Sequence, residues 1–291
     1  MSPEHAQDRG DGTGDRGPAF DTEAAYDFLY LKATPIENIR LAHWRGDADD
    51  NAFWRVISRF QNPDGGWANG IEPDYQGSES SIHSTIEALR ILVAHQQIEH
   101  PQVGRTVHFL RQTMQQDGSW QEVQEVASHP AAPEWYAPAR FRIWESACIA
   151  GYCLELGYTE LWTSAVRYVR NAWAQMPPAE VPHPYWAALL LLGRSHADVD
   201  RSIAADCIDA LGRFIRRERI DPADCSWLIE ILDMVDPPQA PDLMCQLADI
   251  LAAHQDPDGG VNTEYGDQMR PSATFNALMA IALMAQRGLV V

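Results

Sequence analysis

Apolar residues recur every three or four positions along most of the chain from residue 20 onward, and short segments rich in proline and glycine separate the periodic stretches. Such spacing places the apolar side chains on one face of an α-helix. No stretch has the alternation of a convincing strand, so the sequence predicts an all-α protein. The predicted helices are 21–33, 47–61, 81–96, 101–115, 142–156, 159–175, 184–195, 199–217, 223–234, 240–254 and 273–287.

The predicted helices are of two alternating kinds. Helices such as 101–115 and 199–217 carry charged residues on one face, whereas 184–195 and 273–287 are apolar almost all round. A helix that is apolar on every side must be covered on every side. The alternation therefore predicts an α/α toroid, in which amphipathic outer helices wrap an inner ring. We expect a nearly complete six-fold barrel of six inner helices, with 21–33 as the first, and five outer helices.

A short segment occurs near both ends of the predicted barrel. It reads Gln61-Asn-Pro-Asp-Gly-Gly-Trp67 in the first copy and Gln255-Asp-Pro-Asp-Gly-Gly-Val261 in the last, and a looser copy ends in Asp117-Gly-Ser-Trp120. Each copy follows an amphipathic helix, and glycine permits the left-handed turn with which such a helix can end. Self-similarity of this kind is typical of repeat architectures, so we interpret the segment as a structural link between neighbouring repeats.

These repeats resemble the QW motifs of the squalene–hopene cyclase and prenyltransferase superfamily of α/α toroids. The resemblance is sharpest where the last copy is followed by Pro271-Ser-Ala-Thr-Phe-Asn-Ala-Leu278, which is similar to the family's PSQTAWAL segment. It extends over about residues 47–288 and corresponds to one toroidal domain, whereas full-length triterpene cyclases have two. We expect residues 19–291 to form a single toroid, and the polar, glycine-rich residues 1–18 to be a disordered tail.

The resemblance also implies a place for a catalytic acid. Cyclases of this family protonate an alkene or epoxide with a DxDD motif at the start of an inner helix, and the matching segment here is Ser81-Ile-His-Ser-Thr85. His83 stands at the position of the acid, although an imidazolium, with a reference pKa of about 6.5, is a much weaker acid than the carboxylic acid of the family. We predict His83 and Glu145 as a catalytic acid–base pair, since burial on an apolar helix would raise the pKa of Glu145. The alternatives are a hydrogen-bonded core histidine, and a salt bridge from Glu145 to Arg140 or Arg142.

Other acidic motifs have simpler interpretations. Asp47-Ala-Asp-Asp50 is a literal DxDD, but it precedes an outer helix, whose first turn an aspartate caps. The alternative is a displaced cluster of catalytic acids. Phe53 occupies the place of the last aspartate of a DDxxD metal motif. Asp224-Cys225 is similar to part of the zinc site of the prenyltransferases, yet 273–287 contains no histidine, and a catalytic zinc needs three protein ligands. The sequence therefore predicts no metal and no cofactor.

Aromatic residues occupy the first turn or so of four predicted inner helices. In a toroid these rings would converge at one end of a central cavity, where ring faces suit polyenes and stabilise cations. The predicted substrate-binding residues are Trp144, Tyr185, Trp186, Asp224, Trp227, Phe275 and Asn276. The alternative is that large aromatic side chains fill the centre. His183, beside two prolines, is predicted to lie at the surface.

Composition limits the partners and the location. A formal net charge of −19 without a basic stripe argues against nucleic acid. The longest apolar run, residues 185–193, is far shorter than the roughly 20 residues that span a bilayer, so no transmembrane segment is predicted. Residues 1–18 lack the apolar stretch of a signal peptide. Five cysteines without CxxC spacing predict buried free thiols and a cytoplasmic protein.

Taken together, the toroid, the aromatic ring and His83 predict a terpene-cyclase-like enzyme of specialised metabolism. It would cyclise a polyene or a prenylated or polyketide small molecule by acid–base and conformational control, with that hydrophobic molecule as its partner. The alternatives are a protein that binds a hydrophobic ligand without transforming it, and a scaffold with a filled centre. The substrate and the oligomeric state are not predicted.

Overall fold

The structure is a computed structural model that describes residues 19–130, 132–137, 141–176 and 179–289. Within these ranges the chain is α-helical, with no β-strand longer than an isolated bridge, so the prediction of an all-α protein is confirmed. The predicted tail, residues 1–18, lies outside the described residues. The helices are α1 (Thr22–Lys32), α2 (Pro35–Trp44), α3 (Asp50–Ile57), α4 (Ile82–Ala94), α5 (Pro101–Thr113), α6 (Gln124–Ala127), α7 (Arg142–Glu155), α8 (Trp162–Trp173), α9 (His183–Leu192), α10 (Asp198–Arg216), α11 (Pro222–Val235), α12 (Ala240–Ala253) and α13 (Arg270–Gln286).

Twelve of the helices in the described ranges form two concentric rings, and the short α6 lies in the connection between α5 and α7. The inner ring consists of α2, α4, α7, α9, α11 and α13. Its members pack in order around the centre: α4 on α7, α7 on α9, α9 on α11, α11 on α13 and α13 on α2. The outer ring consists of α1, α3, α5, α8, α10 and α12. The predicted α/α toroid is confirmed.

The predicted role of the first helix is wrong, because 21–33 lies in the outer ring rather than the inner one. A Cβ atom added to Gly259, in the turn after outer helix α12, would lie 2.0 Å from the carbonyl oxygen of Ala24 in α1. The inner position belongs to α2, which the apolar pattern does not predict because two of its core-facing residues are charged. Glu37 and Arg40 are buried, with 3% and 2% of their surfaces exposed. The barrel is therefore complete, with six inner and six outer helices over the described residues.

The first copy of the repeated segment joins α3 to the next outer helix, α5. The Gln61 side-chain amide donates to the carbonyl oxygens of Gly65 at 3.1 Å and of Gln102 at 3.0 Å. Trp67 is fully buried, and its Nε1 donates to Oγ1 of Thr106 at 2.9 Å. These contacts match the structural interpretation of the segment, because they hold two neighbouring repeats together.

The last copy closes the ring. Oε1 of Gln255 accepts from the backbone N–H of Asp21 at 2.8 Å, and its Nε2 donates to the carbonyl oxygen of the same residue at 2.8 Å. Val261, at the position that tryptophan takes in the other copies, is fully buried. The turn after α12 thus holds the start of α1 in place, in the same way that the turn after α3 holds α5.

Substitution of Gly65 by alanine is expected to destabilise the protein far more than the same change at Gly46. Both glycines have positive φ, +96° and +78°, so alanine costs about 1–2 kcal/mol at either position. A Cβ at residue 65 would also lie 2.2 Å from the carbonyl oxygen of Arg105, whereas nothing lies within 4 Å at residue 46. The clash should lower the unfolding free energy of the Gly65→Ala variant by about 1–3 kcal/mol more, measured by urea unfolding. Equal losses in the two variants would contradict the tight contact of this turn with α5.

The literal DxDD segment caps an outer helix, as predicted. Oδ1 of Asp49 accepts from the backbone N–H of Ala52 at 2.7 Å at the start of α3. Asp50 accepts instead from the side chains of His43 at 2.9 Å and Gln97 at 2.8 Å, on the outer side of the ring. These carboxylates therefore serve the structure of α3.

The composition predicts buried free thiols and no transmembrane segment. All five cysteine thiols are free, and four of them are buried. In the part of the chain that the structure describes, no helix combines the length and the apolar character needed to cross a membrane.

Candidate functional site

A cavity of about 350 Å³ opens at the end of the toroid where five inner helices begin, namely α4, α7, α9, α11 and α13. Residues 72–74 and 134–136, from the loops that precede α4 and α7, complete its wall. Pockets for small molecules measure about 300–1,000 Å³, so this volume lies at the lower end of their range. The cavity is therefore of the size that holds a small organic molecule.

Aromatic side chains form much of the wall: Trp135, Tyr136, Phe141, Trp144, Trp227 and Tyr265. Trp144 is central, with its ring centroid 6.0 Å from that of Trp227 and 4.8 Å from that of His83. Trp186 packs behind these rings, with its centroid 5.9 Å from that of Trp144, and does not line the cavity. An apolar ligand would meet ring faces from several helices.

His83 and Glu145 meet at the cavity wall. Nε2 of His83, in the first turn of α4, lies 3.3 Å from Oε1 of Glu145 in α7, and both residues are buried. The same carboxylate oxygen accepts from the backbone N–H of Glu122 at 2.9 Å. Burial raises the pKa of Glu145, although the neighbouring imidazole opposes this shift. Arg142, considered as a salt-bridge partner of Glu145, pairs instead with Asp117 at 2.9 Å, and Arg140 lies outside the described residues.

Glu122 lies at the N-terminus of α4, beside His83. It accepts hydrogen bonds from the hydroxyl of Ser81 at 2.6 Å and from the backbone N–H groups of Ile82 at 3.0 Å, His83 at 3.2 Å and Val123 at 2.8 Å. It is almost fully buried. Because both oxygens are engaged, Glu122 fixes the position of His83 rather than offering a proton. Nothing in the sequence pattern singles it out, since it lies in an irregular segment.

A second imidazole–carboxylate pair faces the cavity from α9 and α11. Nε2 of His183 lies 3.3 Å from Oδ2 of Asp224, and the hydroxyl of Tyr265 donates to the same oxygen at 2.9 Å. Burial lowers the pKa of His183, but the charge and hydrogen bond of Asp224 outweigh it and the net shift is upward. The predicted surface position of His183 is wrong, because the side chain lines the cavity. The ring of Trp144 contacts both His83 and His183, so the two imidazoles flank one aromatic side chain.

Two more of the predicted substrate-binding residues lie away from the cavity. Tyr185 points to the outer ring, with its ring centroid 5.6 Å from that of Trp173 and 5.9 Å from that of Phe214. Phe275 packs in a cluster with Phe28 of α1. Both belong to the packing between the rings. The residues of the prediction that do line the cavity are His83, Trp144, Asp224, Trp227 and Asn276.

A buried ion network lies beneath the cavity, where Glu87 and Asn276 contribute to the wall. The Arg90 guanidinium donates to both carboxylate oxygens of Glu230, at 2.8 Å and 2.7 Å, and lies 3.4 Å from Glu87. Arg40 lies 3.9 Å from Glu87 and donates to Oδ1 of Asn276 at 3.0 Å. Burial lowers the pKa of Arg40 to about 10. The network connects α2, α4, α11 and α13 across the centre of the toroid.

Two carboxyl groups in the wall come from the loop before α4. Glu72 and Asp74 are half-buried and line the cavity on either side of Pro73. Burial raises the pKa of Glu72 well above its usual range, and repulsion by Glu87 and Asp74 adds to the shift. Burial likewise raises the pKa of Asp74 to about 6. The sequence does not indicate either residue, because loop positions carry no periodic pattern.

No group of three or more His, Cys, Asp or Glu side chains is arranged to hold a metal ion within the described ranges. Cys225, part of the zinc-like segment, is fully buried and does not line the cavity.

Solved structures with the same fold include the type II terpene cyclase MstE from Scytonema. Its complex with merosterolic acid A, the product, superposes with a TM-score of 0.54 at 12% identity, over 90% of this chain and 86% of that chain. Its complex with geranylgeranyl dihydroxybenzoate, the substrate, superposes with a TM-score of 0.54 at 12% identity, over 92% and 97%. Identity this low shows a common fold and leaves the reaction open.

A search of curated proteins found no relative of the chain. The family described as the prenyltransferase alpha-alpha toroid domain matches residues 36–172 and 189–289, which is most of the sequence. The match includes α2 and nearly all of the helices that form the cavity. It confirms the resemblance to the cyclase and prenyltransferase superfamily. The chain therefore belongs to the prenyltransferase α/α toroid domain family.

Proposed function

We propose that this protein is a cyclase that closes a ring in a small prenylated or polyene substrate held in the cavity. The observation that carries the proposal is the wall itself, where aromatic rings surround two imidazole–carboxylate pairs, His83 with Glu145 and His183 with Asp224. The fold shared with MstE, a type II terpene cyclase whose substrate is geranylgeranyl dihydroxybenzoate, supports the same class of reaction.

The size of the cavity favours a small substrate. About 350 Å³ lies at the lower end of the roughly 300–1,000 Å³ of small-molecule pockets, which suits a substrate about as large as one monoterpene unit. A flexible chain folded into this space would have its reacting carbons close together, and such orientation can supply roughly 7–11 kcal/mol of the barrier.

The two pairs suit the two proton transfers of a cyclisation. His83, backed by Glu145, would deliver a proton to an epoxide or carbonyl oxygen. The electrons of a neighbouring alkene would form a new bond to the carbon of that group, while the epoxide C–O bond or the π bond of the carbonyl breaks and its electron pair moves to the protonated oxygen. The resulting positive charge would lie against ring faces such as that of Trp144. His183, oriented by Asp224, would then remove a proton to leave an alkene. The product is an isomer of the substrate, and the proton gained in the first step is balanced by the one lost in the last.

An imidazolium is too weak an acid to protonate an isolated alkene, so the substrate must carry its own electrophile. This same feature favours a second candidate function. A cavity with histidine at the position of the family's acid could bind a hydrophobic ligand without transforming it.

We expect 6,7-epoxygeraniol, which fits the volume, to be converted to a cyclic isomer that gas chromatography–mass spectrometry detects at unchanged mass. His83→Ala and Glu145→Gln should each lower the rate by at least about a hundredfold, the usual contribution of a general acid or base. His108→Ala is the matched control, because that histidine is exposed on outer helix α5. Wild-type turnover in both cavity variants would refute these roles. Tight binding of the epoxide with no product would favour the second candidate function.

A further inference from the structure

Building on the proposed function, we infer that the substrate carries a basic nitrogen that is protonated at neutral pH, and that Glu72 and Asp74 bind this cation. The cavity would thus select a prenylated or polyene amine over the corresponding alcohol or hydrocarbon.

The wall of the cavity is rich in carboxyl groups. Its lining includes the carboxyl groups of Glu72, Asp74, Glu87, Glu134 and Asp224, and contains no lysine or arginine among the described residues. The binding of an apolar chain requires no carboxylate, and each carboxylate is costly to place in a half-buried wall without a partner.

Two of the five carboxylates already have partners. Glu87 lies beside Arg90 and Arg40 in the buried network, and Asp224 lies beside His183. Within the described ranges, no arginine or lysine forms an ion pair with Glu72 or Asp74. The uncharged side-chain amide of Gln268 forms a hydrogen bond with the carboxyl group of Asp74. Glu72 and Asp74 therefore line this wall without an arginine or lysine partner among the described residues.

Helix dipoles do not provide a positive partner for Glu72 and Asp74, although five inner helices begin at the cavity. Each helix N-terminus carries partial positive charge, but the nearest ones have carboxylates of their own. Glu122 accepts from the first N–H groups of α4, and Asp221 accepts from Ala223 at 2.8 Å at the start of α11. The dipoles of these helices are thus already engaged.

The neighbouring aromatic residues are suited to a cation as well. Tyr136 and Trp144 line the cavity beside His83, and ring faces attract alkylammonium groups. Tyr136 is 1% exposed, and its hydroxyl has no hydrogen-bond partner among the described residues. Its oxygen could accept from an ammonium N–H.

The acid–base behaviour of the two carboxyl groups is compatible with the binding of a cation. Burial together with the nearby carboxylates raises the pKa of Glu72 well above its usual range, and burial raises that of Asp74 to about 6. A positive charge bound between them would favour their ionised forms.

The test compares geranylamine with geraniol, which have the same prenyl chain and the same number of non-hydrogen atoms. Binding to the full chain is followed by tryptophan fluorescence, since Trp135, Trp144 and Trp227 line the cavity. We expect the amine to bind at least about tenfold more tightly at neutral pH. The double variant Glu72→Gln/Asp74→Asn should reduce this preference to within about twofold. Glu23→Gln, which removes one exposed carboxylate on α1, should leave it unchanged.

Each outcome separates this inference from the proposed function. Equal binding of the two molecules, or a preference that survives the double variant, overturns the role of Glu72 and Asp74 and leaves a cyclase for neutral substrates possible. A tenfold preference in a protein that forms no cyclic product supports the cation site and counts against the cyclase. If neither molecule binds, both proposals are wrong.

Discussion

Substitution of Arg90 by methionine is expected to lower the free energy of unfolding by about 3–5 kcal/mol, the usual effect of removing one partner of a buried ion pair. Arg90 is 3% exposed and donates to both carboxylate oxygens of Glu230. Its guanidinium also lies over the ring of Trp227, with Cζ 4.8 Å from the ring centroid. Methionine would leave the buried Glu87 and the partly buried Glu230 beneath the cavity with one fewer cation.

Two comparison variants identify the cause of this loss. Arg201→Met removes an exposed arginine that pairs with Asp198 on the surface of α10, and it should change stability by less than about 1 kcal/mol. Adding Glu230→Gln to Arg90→Met should recover part of the loss, because the charge left without a partner is removed as well. Urea unfolding measures all three variants. If Arg90→Met is no more harmful than Arg201→Met, the network does not stabilise the toroid.

Substitution of Glu122 by alanine is expected to lower the free energy of unfolding by a similar amount, about 3–5 kcal/mol, for a different reason. The carboxylate accepts from the hydroxyl of Ser81 and from the backbone N–H groups of Ile82 and His83, all of them buried. Each donor left without an acceptor costs about 1–3 kcal/mol. The negative charge at the N-terminus of α4 is lost as well.

The matched controls for Glu122 test its hydrogen bonds directly. Glu122→Gln keeps one acceptor oxygen and should lose only about half as much stability. Glu125→Ala, at an exposed position three residues later, should change stability by no more than about 0.5 kcal/mol. The readout is urea unfolding, with hydrogen exchange of the Ile82 and His83 amides as a local probe. Slow amide exchange that survives in Glu122→Ala would contradict the role given to this carboxylate.

The sequence predicts most helices well, because their apolar faces are long and periodic. It does not predict α2, whose core-facing residues include Glu37 and Arg40. In the sequence pattern, a buried charged residue cannot be told from an exposed one, since only its partners in the folded structure distinguish the two. Without α2, the first helix is assigned to the inner ring.

The sequence does not show in which direction each side chain points from its helix, and this limited the prediction of the site residues. Adjacent helical residues point about 100° apart, so a place in the first turn does not determine which residue faces the cavity. Asn276 lines the cavity, whereas Phe275 packs against α1. Trp186 lies behind the aromatic wall, whereas Tyr185 faces the outer ring.

Other site residues could not be found from the sequence because chain geometry brings them together. Glu72, Asp74 and Glu122 lie in irregular segments, where no period relates a residue to a face. His183 appears to be a surface histidine between two prolines until α9 and α11 are packed side by side and Asp224 reaches it. His83 and Glu145 were indicated by family position and by helix composition, and the structure brings them to 3.3 Å.

The contact between α1 and the turn after α12 has a consequence for synthesis on the ribosome. The hydrogen bonds between Asp21 and Gln255 join residues 234 positions apart. At about 5–20 residues per second, roughly 10–50 s pass between the translation of these two residues. Phe28 and Leu29 of α1 lack their buried partners Phe275 and Leu278 throughout this interval, because these residues of α13 emerge later still. The nascent chain therefore exposes apolar residues of α1 until α13 has left the exit tunnel. A chaperone is most useful to the chain during this period.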